Sequence, residues 1–132
     1  MDFSDTIRRP RLGHWEPNAD VVIDEAAHAV VVRVEAAGAD PESLRVFVDG
    51  RYLVIAGCRA QSARLRSGTL VQKEIADGEF LKRMQLPISV QYGEVTATYA
   101  DGMLTIALPI EAHAHLPVMR TEIQVVVKRV LI

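Results

Sequence analysis

Two stretches decide the fold: LRVFVDGRYLVIAG (Leu44 to Gly57) and EVTATYADGMLTIAL (Glu94 to Leu108). Each is a β-rich run, an Asp-Gly pair and a second β-rich run. Asp-Gly tolerates the positive φ of a two-residue hairpin turn, and flanking alternation makes it a strong hairpin signal. In the first, Leu44, Val46 and Val48 share one face, with Arg45, Phe47 and Asp49 on the other. In the second, Leu104, Ile106 and Leu108 alternate with Met103, Thr105 and Ala107. A period of two predicts strands with one buried face.

Working outward, HAVVVRVEA (His28 to Ala36) puts Val30, Val32 and Val34 on one face, and VVID (Val21 to Asp24) is a short strand before it. FLKRMQLP (Phe80 to Pro87) directs Phe80, Met84 and Leu86 inward and stops at proline. Apart from a single turn at Asp40-Pro41-Glu42-Ser43, where proline follows an Asp cap, no window sustains a helical period. Short strands separated by turn signals predict an all-β, two-sheet antiparallel sandwich. Arg59 to Gly68 reads as a polar loop, and Glu111 to Thr121 as an extended connector. Beyond it lies an apolar end, Ile123 to Ile132.

Composition narrows the function. The 132 residues suit one domain. A net charge of -2 and 5% aromatics offer little to a phosphate backbone or to bases, so nucleic acid is not an expected partner. No apolar leader or long apolar run marks a signal peptide or membrane span, and the lone Cys58 suits a reducing cytoplasm. No Ser-His-Asp set, phosphate loop or metal cluster stands out, so neither an enzyme nor a cofactor is expected. His113 and His115 lack further ligands and read as solvated connector; Cys58 reads as an ordinary thiol, and Arg64 and Arg66 as a solvated loop.

A family resemblance rests on several motifs in order. Ala97-x-Tyr99-x-x-Gly102-x-Leu104-x-Ile106-x-Leu108-Pro109 resembles the signature that closes the α-crystallin domain of small heat-shock proteins of bacterial and plant type. Trp15-Glu16-Pro17, Leu53-x-Ile55-x-Gly57-x-Arg59, and Glu74, Gly78-x-Phe80 and Leu86-Pro87 resemble its earlier motifs. Ile75, Lys82, Ala36-Ala37-Gly38 and Ile110 depart from the family pattern. The resemblance implies an immunoglobulin-like α-crystallin domain over 15–110, an arm over 1–14 and an extension over 111–132.

It also implies function: an ATP-independent holdase in the stress response that binds partly unfolded clients and assembles as dimers and higher homo-oligomers. In this family a strand from the long loop, here 59–75, joins a partner's sheet. The expected dimer strand is Thr69, Leu70, Val71, Gln72, Lys73 and Glu74, seated beside Val21 to Asp24 of the partner. An I-x-I or V-x-I tail motif docks in a groove between two edge strands. The tail offers Ile123 and Val125, or Val130 and Ile132, and the expected groove lining is Leu44, Val46, Val48, Val95 and Ala97. Those five are sandwich core in either case. Phe3, Ile7 and Leu12 in the arm bind clients or pack inside an oligomer, or else belong to a plain leader. The competing function is an adaptor or co-chaperone module with one folded partner. With the sandwich ending at Pro109, the tail reads as a tethered apolar ligand for an edge groove, a neighbour's or its own protomer's, and not as a core strand of its own sandwich.

Overall fold

The computed structural model describes residues 15–60, 67–111 and 120–129. Among the described residues nine strands build two facing sheets: β1 (Ala19–Asp24), β2 (Ala29–Glu35), β3 (Arg45–Asp49), β4 (Tyr52–Arg59), β5 (Gly78–Gln85), β6 (Thr96–Ala100), β7 (Met103–Pro109), β8 (Thr121–Ile123) and β9 (Val125–Val127). The first sheet runs β1-β2-β7-β6-β9 and the second β5-β4-β3-β8. All pairings are antiparallel except β6 with β9.

The alternation read from sequence places the core. Val30, Val32 and Val34 of β2, Val46 and Val48 of β3, Leu53 and Ile55 of β4, and Leu104, Ile106 and Leu108 of β7 form one cluster closed to solvent. Burying each such side chain contributes about 1.5–3 kcal/mol gross. Single 3-10 turns at Pro41–Ser43 and Tyr92–Glu94 lead into β3 and β6; the Asp40 side chain caps the first by accepting from the Glu42 N–H.

The second hairpin takes the expected turn. Asp101 (φ 53°) and Gly102 (φ 77°) link Ala100 to Met103. A Cβ on Gly102 would lie 3.1 Å from the Ala37 Cα, so both conformation and space require glycine there. The first hairpin differs from its reading by one residue. Asp49 stays in the ladder opposite Tyr52, leaving Gly50 and Arg51 as the loop, with Gly50 alone at positive φ (62°). That is the glycine-first hairpin turn, which needs positive φ only once.

Three other readings change. The face of β3 assigned to solvent is not all polar: Phe47 joins Val54 and Leu81 in a second buried cluster on the outer side of that sheet. Phe80 of β5 and Leu86 just after it are buried as read, but Met84 is only half-buried, while the outward Leu81 is buried. Most consequential, the tail does not stand apart from its own sandwich. Further along the chain, β8 adds to β3 and β9 adds to β6, so one short segment extends both sheets of its own chain. The sandwich had left the edges of β3 and β6 unpaired on one side, and an extended apolar segment satisfies both.

Candidate functional site

The site is the open side of the sandwich between β3 and β6. Alternation along β3 turns Val46 and Val48 inward, both fully buried, with Leu44 just before them also buried. Val95 and Ala97, also buried, line the facing edge at β6. All five side chains of the expected groove therefore meet along this side, within one cluster.

Of the two tail motifs, Ile123-Gln124-Val125 lies in the described chain, where it pairs with β3 and β6 of the same chain. Ile123 pairs with Val46, is 7% exposed and belongs to the main core cluster. Gln124 carries the chain across from one sheet to the other. Val125 then aligns with Ala97 and Val127 with Tyr99; both valines are partly buried against the core, while Val126 points to solvent. The Lys128 N–H donates to the Tyr99 carbonyl (2.8 Å) and ends the seat. The other motif, Val130 and Ile132, lies outside the described residues, as do Phe3, Ile7 and Leu12 of the arm, His113, His115, Arg64 and Arg66.

The rim is charged. Arg45 donates from Nε and Nη2 to the two carboxylate oxygens of Glu122, each at 3.0 Å, and its guanidinium lies 5.1 Å from the Phe47 ring centroid. Hydrogen bonding to Glu122 holds the Arg45 guanidinium above its ordinary value, against desolvation, which lowers it, and with help from the Glu122 charge. Arg120 donates from Nη2 to Asp49 at 3.4 Å. Sequence reading missed these pairs because their partners are more than 70 residues apart. The available signal was the Arg-x-x-x-Asp face of β3 beside Arg120-x-Glu122.

A second surface lies at the opposite side. β1 ends the first sheet, and Val21, Val22 and Ile23 are exposed along it. The expected dimer strand, Thr69 to Glu74, takes no strand in the single chain and is exposed throughout; Val71 is 94% exposed, with Leu70 and Ile75 also open to solvent. The base of this loop is anchored. Arg59 donates from Nε (2.8 Å) and Nη2 (2.5 Å) to the Ala76 carbonyl and from Nη1 (3.0 Å) to the Ala37 carbonyl. Its guanidinium also stacks 4.0 Å above Trp15. Trp15 in turn donates to the Gly78 carbonyl (3.2 Å) and meets Phe80 edge-on at 5.1 Å between centroids. Phe80 lies so close over Gly57 that a Cβ there would fall 2.4 Å from the ring. Trp15, Gly57, Arg59 and Phe80, singled out as separate motif residues, form one interlocked cluster at the loop base.

Cys58 is a free, half-buried thiol. Among the described residues no three His, Cys, Asp or Glu side chains gather where they could hold a metal ion. No helix among them is long and apolar enough to cross a membrane.

Two facing, mostly antiparallel sheets with almost no helix are the architecture of a small heat-shock protein domain. The chain belongs to the Hsp20/alpha crystallin family, whose profile matches residues 22–128, tail strands included. It is 31% identical over 104 residues to a 17.6 kDa class I heat shock protein of Helianthus annuus, covering 78% of this chain and 68% of that protein. Against a 17.4 kDa class I heat shock protein of Arabidopsis thaliana it is 32% identical over 93 residues, 70% of this chain and 60% of that one. The chain thus spans about two thirds or less of these relatives' lengths. Among solved structures it is similar to heat shock protein 16.0 from Schizosaccharomyces pombe, with TM-score 0.72 and 25% identity, covering 85% of this chain and 82% of that one.

Proposed function

We propose that this protein is an ATP-independent holdase chaperone of the cytoplasm. It binds partly unfolded proteins through extended apolar segments and assembles from dimers into a larger homo-oligomer. The observation that carries this reading is the groove between β3 and β6, which holds an apolar-x-apolar strand by backbone pairing on both sides. Such a seat recognises extended backbone and spaced apolar side chains, which unfolded chains supply in any sequence. β8 and β9 bury one isoleucine and part of two valines, so the affinity of these strands is modest and they can leave. Departure frees the groove for a client or for a second copy's tail, and repetition around an oligomer makes weak contacts cumulative.

The dimer follows from the other side. Thr69 to Glu74 crosses to the unpaired edge of β1 in a partner, covering Val21 to Ile23 with Leu70 and Val71. This reading is supported by apolar exposure on both elements, which a lone soluble chain has reason to hide. The Arg59 anchor sets where the loop leaves its own sheet.

The test is suppression of light scattering from a heat-denatured model enzyme at near-stoichiometric chain, without nucleotide. Unchanged scattering across temperatures refutes the holdase. A stable complex with one native protein and no effect on aggregation would instead identify an adaptor.

A further inference from the structure

Burial alone does not say which way round the tail lies, because the hydrophobic effect has no direction. An apolar-x-apolar segment can offer its side chains to a groove from either end. On β8 the inward residues are Thr121 and Ile123, aligned with Val48 and Val46, and the outward one is Glu122, opposite Phe47. On β3 the outward residues are Arg45, Phe47 and Asp49. Arg45 lies across the Phe47 ring to grip Glu122 with two hydrogen bonds, and Asp49 takes Arg120 at the other end.

We propose that this outer rim, basic Arg45 and acidic Asp49, selects the direction and register of the strand seated on β3. It favours a segment reading basic-x-acidic-apolar, as Arg120-Thr121-Glu122-Ile123 of this chain does. The proposal rests on reading the groove as the tail's seat, and it adds what that reading lacks, a basis for choosing among apolar strands. Reversed about Glu122 over the same footprint, the tail would put Arg120 opposite Arg45 and leave Asp49 facing Gln124. That exchanges an attraction for a like-charge pair directly across the ladder, which is unfavourable. Sliding by one residue would turn Glu122 into the apolar groove. The bidentate geometry of Arg45 and the Phe47 platform give the pair a fixed orientation that a single lysine contact would lack. Each pair is exposed, with side chains between about a third and a half accessible, so neither is strong alone. Their effect is discrimination between arrangements of nearly equal burial.

The experiment compares full-length chains by hydrogen exchange of the tail amides, with β4 and β5 as the internal reference for folding. R120E with E122R keeps the composition and apolar pattern of the tail but inverts its charge order. Tail protection is expected to fall about tenfold, reversing two exposed pairs, and to return to within about threefold of wild type when R45E and D49R are added. The smaller exchange, R45E with E122R, is expected to recover what either single change loses, and it serves if the fourfold variant folds poorly. Undiminished protection in the inverted tail, or losses that simply add in the compensated variants, overturns the rim proposal. If I123A still releases the tail in that case, the groove reading stands alone. A wild-type tail that exchanges as freely as an unfolded segment overturns both.

Discussion

Replacing Ile123 by alanine is expected to release the tail from β3 and β6 while leaving the sandwich folded. Among the described tail residues Ile123 is the buried one, 7% exposed, whereas Val125 and Val127 are only partly covered. Ile→Ala in a buried site costs about 2–5 kcal/mol. The groove edge can close partly over the gap, so the low end, about 2 kcal/mol, applies. Against that, the six residues of β8 and β9 cost about 1–2 kcal/mol each to order. Backbone hydrogen bonds at about 0.5–1.5 kcal/mol apiece and the remaining burial offset that cost only narrowly. A loss of about 2 kcal/mol therefore moves the seated-to-free ratio roughly 30-fold. Hydrogen exchange read by mass spectrometry measures this directly: tail amides should lose about 30-fold in protection, and β4 and β5 should keep theirs. Unchanged tail exchange would refute the assignment of Ile123 as the anchor. Equal acceleration in β4 and β5 would refute the separation of tail release from core unfolding.

Gly57→Ala is expected to destabilise the domain by about 1–3 kcal/mol, because the new Cβ would meet the fully buried Phe80 ring at 2.4 Å; a urea titration should show the midpoint falling with little change in slope. Val71→Lys touches a side chain that is 94% exposed in the single chain, so the stability of the isolated fold should stay within about 0.5 kcal/mol. If Thr69 to Glu74 crosses to a partner, native mass spectrometry of that variant should show a shift toward monomer; an unchanged oligomer would remove Val71 from the interface.

The motif pieces read separately along the chain acquire a shared physical reason. Gly57 is glycine because Phe80 occupies the space of its Cβ, and Phe80 is held by Trp15, which also carries the Arg59 guanidinium. Tyr99 is buried with its hydroxyl donating to the Ala36 carbonyl (2.7 Å), while Gly102 lies against Ala37. These contacts tie the closing hairpin to the turn after β2. The departures fit as well: Ile110 is buried and bridged to Val90, a place where a charge would be costly, and Ile75 remains on the exposed loop.

The sequence by itself determined the sandwich, its two hairpins and its inward faces. Those features rest on neighbouring residues: a period of two along each strand and glycine where a turn needs positive φ. The first turn's one-residue offset escaped it, since Asp49 can serve equally as turn or strand, and so did the burial of Leu81 ahead of Met84 on β5. The burial of Leu44, Val46, Val48, Val95 and Ala97 was legible for the same reason, since alternation marks the inward faces at β3 and β6. What the tertiary structure alone decided is what comes from far away in the chain. The burial of Phe47 depends on Val54 and Leu81 sharing the outer face of one sheet. The grip of Arg45 on Glu122 spans 77 residues. The return of the tail to its own two sheets depends on a connector whose reach no local pattern encodes. Local periodicity says which face of a strand is apolar; only the path of the chain says what comes to cover it.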